Sequence, residues 1–328
     1  MDDSDLIASL LGRPLDRRTL LRGAVAATAG GTALYTLGCG SSPSATKTPA
    51  PSGTAAATGE FTPSLLTAEF VARQDNRFAV GLVNKQKKLV KNAVVHLKFF
   101  KIGADGSGTL RGEGDADFVE LDVAGARPPG ATPTAGAPDD SVAFYIASTP
   151  FDVSGDWGVE IAVTPRDGSA PAKIQAPFKV LDQSVTPPIG TLPPASKNEI
   201  AATPADAARL CSRVPACPLH DKVIGDLLGK GRPLVVQFST PAFCQTRFCG
   251  PVLEVLLGQV PAYQDRVDFV HIEVWQDFQL QQIRSTVKEW NLPGEPYTFF
   301  MGRDGSVRAK LEAIFSNDEL TAALKLLV

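Results

Sequence analysis

Two cysteines separated by four residues, Cys244 and Cys249, follow an apolar run from Leu234 to Phe238 and a break at Ser239-Thr240-Pro241. Such a run fits a strand covered on both faces. Gly250-Pro251 then opens a segment whose Val252, Leu253, Val255, Leu256 and Leu257 predict a helix with proline in its first turn. A strand, a cysteine loop and a helix start in this order favour thiolate chemistry, because unpaired N–H groups and the helix dipole stabilise a negative sulfur. Arg247, between the two sulfurs, acts in the same direction. Cys249 is therefore the candidate low-pKa sulfur and Cys244 its partner, with the order of attack left open. Exchange needs both sulfurs close, since a disulfide requires Cα atoms within about 7 Å.

At these residues the chain resembles the thioredoxin superfamily over roughly residues 198–328. The resemblance rests on the strand-cysteine-helix order with Cys249-Gly250-Pro251, and on Glu295-Pro296-Tyr297-Thr298, similar to that family's cis-proline loop at Pro296. It also rests on Gly302-Arg303-Asp304-Gly305 as a hairpin turn before Ser306 to Leu311. It implies an α/β thioredoxin-like fold and a loop at Pro296 that holds a substrate chain by backbone pairing. The chain departs from the family pattern in two places. Val252 stands where Cys-x-x-Cys would place the second cysteine, and Gln237 stands where many relatives bury an acid. Thr246-Arg-Phe-Cys249 is similar to the peroxiredoxin Thr-x-x-Cys, and copper-handling relatives carry Cys-x3-Cys; neither spacing matches fully.

Cys211 and Cys217 enclose five residues after a short helix that Thr203 caps and Pro204 opens. A structural disulfide is the reading preferred here over a second redox pair. His220, three residues on, reads as a surface cap of the next helix rather than a metal ligand beside Cys217. His271, in the predicted strand Val267 to Trp275, reads as a hydrogen-bonded sheet-face histidine. Helical spacing of Leu280, Ile283, Val287 and Trp290 predicts a helix over Phe278 to Trp290, and Ser316-Asn-Asp-Glu319 is a capping box for the last helix.

The elements before this region set its context. Asp16-Arg17-Arg18-Thr19-Leu20-Leu21-Arg22 resembles a twin-arginine export motif, with Arg17 and Arg18 as its pair, and Leu37-Gly38-Cys39-Gly40 resembles a lipoprotein cleavage site with Cys39 acylated. Residues 1–39 are then an export signal and residues 40–60 a Ser/Thr/Pro/Ala linker. Short β-rich runs with turn-rich gaps over residues 61–182 predict an immunoglobulin-like β-sandwich. A Pro-rich linker over residues 183–197 precedes the thioredoxin-like domain at 198–328, so the chain is expected to be multidomain, all-β followed by α/β.

A net charge of −3 argues against a nucleic-acid surface, because phosphate binding draws on an excess of Lys and Arg. With Cys39 lipidated, export would place the other four cysteines where disulfides persist, accounting for the cysteine count with no metal and no cofactor. The expected protein is an exported, membrane-tethered thiol–disulfide oxidoreductase acting on protein thiols and disulfides on the outer face of the cytoplasmic membrane. The alternatives are a binding module with a permanent Cys244–Cys249 staple, a peroxidase using Cys249 with Thr246, and a copper-transfer protein using the same cysteines with His271 or His220.

Overall fold

A computed structural model describes residues 60–122, 141–244, 248–277 and 279–328. Arg17, Arg18, Cys39, Thr246 and Arg247 lie outside the described residues, so the readings of export, lipidation and pKa tuning by Arg247 do too.

Eight strands come first: β1 (Phe61–Leu65), β2 (Phe70–Val71), β3 (Gln74–Asn84), β4 (Val94–Ile102), β5 (Gly108–Asp122), β6 (Ser141–Phe151), β7 (Gly155–Thr164) and β8 (Ala172–Leu181). They form one curled sheet in the order β1-β3-β6-β5-β4-β7-β8-β2. The immunoglobulin-like sandwich of two separate sheets is therefore corrected. The cause is β5, whose 15 residues serve both halves. Its first part, to Ala116, pairs with β4, and Asp117 to Asp122 pair with β6. Curling lets the sheet close on its own apolar face. Phe70, Phe78, Phe99, Phe151, Trp157 and Phe178 fill that space with no more than 5% exposure each, and Trp157 meets Phe151 at 4.8 Å. Each such side chain stabilises the fold by about 1.5–3 kcal/mol through burial, with edge-on ring geometry adding to it.

The remainder carries α1 (Pro204–Leu210), α2 (Ile224–Leu227), β9 (Leu234–Phe238), α3 (Cys249–Tyr263), β10 (Asp268–Ile272), β11 (Trp275–Asp277) and β12 (Gln282–Ile283). It ends with α4 (Ser285–Glu289), β13 (Tyr297–Met301), β14 (Val307–Glu312) and α5 (Asn317–Lys325). Four strands make a mixed sheet in the order β10-β9-β13-β14, with β10 and β9 parallel. The α/β thioredoxin-like class expected for this part is corrected as well, because strands dominate the chain and its helices are short. Among the described residues only α3 reaches 15 residues, and α2 and α4 hold 4 and 5. The helix expected over 278–290 gives way to the β11–β12 ribbon and α4. Gln281 has φ +52°, Leu280 N–H donates to Asp277 Oδ1 at 2.9 Å, and Leu280 is 67% exposed, so the apolar stripe is broken there. Both capping boxes, at Thr203 and Ser316, are present.

The two parts share a core. Ala79, Leu121 and Phe144 from the curled sheet join one buried cluster with Val252, Leu256, Phe300, Ile314, Phe315 and Leu320. Charges cross the same boundary. Lys310 of β14 pairs with Glu69, whose carboxylate also takes Val185 N–H at 2.8 Å and the Thr186 hydroxyl at 2.7 Å. Arg77 of β3 pairs with Glu319 at 2.6 Å and donates to Ile314 O at 2.5 Å.

Glu312, at the end of β14, accepts from Ala68 N–H at 2.7 Å, yet burial pushes its carboxyl from an ordinary value of 4.5 up to about 7. The folded state then keeps a proton that the unfolded chain releases. This contribution to stability is complete below about pH 4.5 and is lost as pH rises through 7. Glu312→Gln should remove that decline, gaining roughly 3 kcal/mol over the wild type at pH 8 relative to pH 4. Denaturant melts of both proteins at the two pH values check it.

Candidate functional site

Strand β9 is buried along its whole length and delivers the chain to Ser239 and Thr240, which are also buried. From there a loop runs to α3. Cys244 is half-buried in this loop, and its N–H donates to Thr240 O at 3.0 Å. Cys249 is the first residue of α3 and has no exposure. No disulfide joins the described cysteines.

The sulfurs of Cys244 and Cys249 and a carboxylate oxygen of Glu295 lie within 4.8 Å of one another. Glu295 precedes Pro296, the peptide between them is cis, and the Glu295 carboxylate brings the loop expected to hold a substrate beside the sulfur pair. The sequence reading missed this carboxylate, although its position beside Pro296 was a signal. Its Oε1 accepts from Trp275 Nε1 at 3.2 Å, and its Oε2 is buried without a hydrogen-bond partner. Burial pushes this carboxyl up to about 7, and the nearby Cys244 sulfur acts the same way.

The low pKa expected of Cys249 is corrected. Burial holds this thiol well above the ordinary range, and the Cys244 and Glu295 charges reinforce it, against a weaker pull from Thr240 N–H. Desolvation of a fully enclosed sulfur outweighs the helix start. Cys244, half-buried, is the less enclosed of the two cysteines.

Cys211 and Cys217, expected as a structural disulfide, are not bonded to each other in the structure, and with His220 and His271 they form a buried cluster whose ligand atoms all lie within 4.8 Å of one another. His220 is 5% exposed, so it is not a surface cap. His271 sits on β10, the edge of the four-stranded sheet, and its N–H donates to Leu219 O at 2.8 Å, which brings the Cys217–His220 segment against the strand. His271 Nδ1 lies 3.1 Å from His220 Nε2, 3.3 Å from Cys217 Sγ and 3.8 Å from Cys211 Sγ. The two sulfurs share protons unequally: contact with Cys217 and the imidazoles holds Cys211 below the ordinary thiol range, while contact with Cys211 and burial hold Cys217 above it. Both histidines stand with this pair, so the ligand set needed for copper transfer at Cys244 and Cys249 is not assembled.

No protein-family model and no curated protein matches this chain. Two sulfur clusters stand out among the described residues, Cys244 and Cys249 with Glu295, and Cys211 and Cys217 with His220 and His271.

They are joined by a two-residue bridge. Ser239 faces His271 Nε2, at 2.8 Å from its hydroxyl and 3.1 Å from its carbonyl, while Thr240 N–H reaches the Cys249 sulfur. Ser212, next to Cys211, accepts Ala242 N–H at 3.1 Å, and Arg213 pairs with Glu254 of α3 at 2.5 Å. The dithiol loop is thus held on the side of the Cys211 cluster by hydrogen bonds from both ends.

Proposed function

We propose that Cys244 and Cys249 form a dithiol–disulfide couple for exchange with protein substrates, with Glu295 as the proton acceptor. The observation that carries the reading is one half-buried and one fully buried cysteine beside the Glu295 carboxyl, which burial pushes up to about 7. In the reducing direction, the Cys244 thiolate attacks a substrate disulfide, forming a mixed disulfide and releasing one substrate thiolate. Cys249 loses its proton to Glu295 and attacks the Cys244 sulfur. The second substrate thiolate then leaves and takes up the proton. Two electrons pass to the substrate and a Cys244–Cys249 bond remains; the oxidising direction reverses each step. The cis peptide at Pro296 lies beside the pair, where the family resemblance implies that a substrate strand docks.

Export and a lipid tether at Cys39 belong to the same proposal, since an outer-face location would supply disulfide-bearing substrates. Among the described residues no helix is long and apolar enough to cross a membrane.

A second reading, a permanent staple, draws on the complete burial of Cys249. The reduction potential of the pair separates the two: a value below about −300 mV marks a structural bond, and one near −120 to −270 mV marks an exchange couple. Glu295→Gln tests the proton step. The resolving rate of the wild type should rise through pH 7 as the carboxylate forms, whereas the variant should lose that inflection and fall about a hundredfold at pH 8. Stopped-flow decay of a preformed mixed disulfide, followed against pH, checks it.

A further inference from the structure

Cys211, Cys217, His220 and His271 have no part in the exchange chemistry, and their geometry points to a different one. We infer that they form a closed tetrahedral site for a divalent metal of the zinc class.

Zinc binds imidazole nitrogen at about 2.0–2.1 Å and thiolate sulfur at about 2.3 Å. A regular tetrahedron with those bond lengths separates two nitrogens by about 3.3 Å, nitrogen from sulfur by about 3.6 Å, and two sulfurs by about 3.8 Å. The protein holds the nitrogens of His220 and His271 at 3.1 Å, and Cys217 Sγ at 3.3 Å from each of them. Cys211 Sγ stands 3.8 Å from His271 Nδ1. Four of the six spacings thus lie near those of donors around one small cation, and the remaining two, from Cys211 Sγ to Cys217 Sγ and to His220, are within 4.8 Å. All four side chains are at most 5% exposed, which leaves no place for a water or substrate ligand and marks the site as structural.

The surroundings fit the same assignment. A metal-bound histidine commonly donates its other ring N–H to an oxygen that fixes its tautomer. His271 presents Nδ1 to the cluster and Nε2 to the Ser239 carbonyl and hydroxyl. A small cleft lined by Leu210, His220, His271, Glu273 and Arg284 lies against the two histidines of the cluster. Two thiolates and two neutral imidazoles balance the charge of a divalent ion, and binding displaces the thiol protons. Mixed sulfur and nitrogen donors in a tetrahedron favour zinc over magnesium or calcium, which take oxygen.

Elemental analysis of the full-length protein, purified from zinc-supplemented medium without chelator, should find one zinc per chain. The Cys244→Ser/Cys249→Ser double variant should keep it. Cys217→Ser and His220→Ala should lose it, with affinity for added zinc reduced at least a hundredfold, and Ser239→Ala should weaken it about tenfold. Should the ligand variants fail to fold, cobalt titration of the chelator-treated wild type gives the answer: intense visible bands of tetrahedral cobalt with a thiolate-to-cobalt transition in the near ultraviolet are expected. The inference is overturned if zinc is absent and peptide mapping finds a Cys211–Cys217 disulfide. It is equally overturned if cobalt gives only weak octahedral bands, or if zinc is lost from the Cys244/Cys249 variant and kept by Cys217→Ser.

Discussion

Cys244→Ser should bring disulfide exchange down to background, a loss of at least about a thousandfold, because no other sulfur at this site meets solvent. Cys244 is half-buried, whereas Cys249 has no exposed surface at the head of α3. Cys249→Ser should behave differently. Its accessible Cys244 can still attack, yet no second sulfur remains to resolve the product, so a mixed disulfide to substrate should accumulate. Mass spectrometry of trapped adducts distinguishes the outcomes: adducts on Cys244 in the Cys249→Ser protein support the assignment. Adducts on Cys249 in the Cys244→Ser protein would reverse the roles, and none in either protein would leave the pair a structural one.

The other large effect lies at the boundary between the two parts. Lys310→Met should destabilise the protein by about 3–5 kcal/mol, the range expected when one partner of a buried ion pair is removed. Glu69 is left as an unpaired charge, since its side chain is 2% exposed and Lys310 is 9% exposed. The pairing is visible in the carboxyl itself: burial alone would raise its pKa, but Lys310, with Ser184 and Thr186, brings it below 4.5. Its stabilising contribution is therefore present above pH 4.5 and lost as pH falls through the folded value, opposite in sign to that of Glu312. Adding Glu69→Gln to Lys310→Met should recover much of the loss. Equilibrium denaturation of the wild type, both single variants and the double variant measures the coupling.

Local features of the site were legible where short-range chemistry decides them. The run Leu234–Phe238, the helix start at Cys249 and the caps at Thr203 and Ser316 follow from side-chain types at fixed offsets. What was not legible depends on distance along the chain. β5 continues through Gly112, Glu113, Gly114 and Asp115, residues that avoid strands, because β4 pairs with them and the sheet must turn a corner there. The Cys211 cluster unites a segment ending at His220 with a histidine on an edge strand 51 residues later. A signal was present, since His220 falls three residues after Cys217 and His271 lies in the apolar run that follows Val267. Read one at a time, each had an ordinary explanation. Burial likewise set the Cys249 pKa, and a helix start seen in sequence says nothing of how deeply its first side chain is enclosed.

The buried cluster that joins Ala79, Leu121 and Phe144 to apolar residues of the later part has a practical meaning for the gene. A fragment beginning at residue 198 would carry both sulfur centres but present a bare greasy flank, and the excised β portion would present its mirror. Neither is a portable cassette; the dithiol and its many-stranded companion must be inherited, expressed and transplanted as one piece.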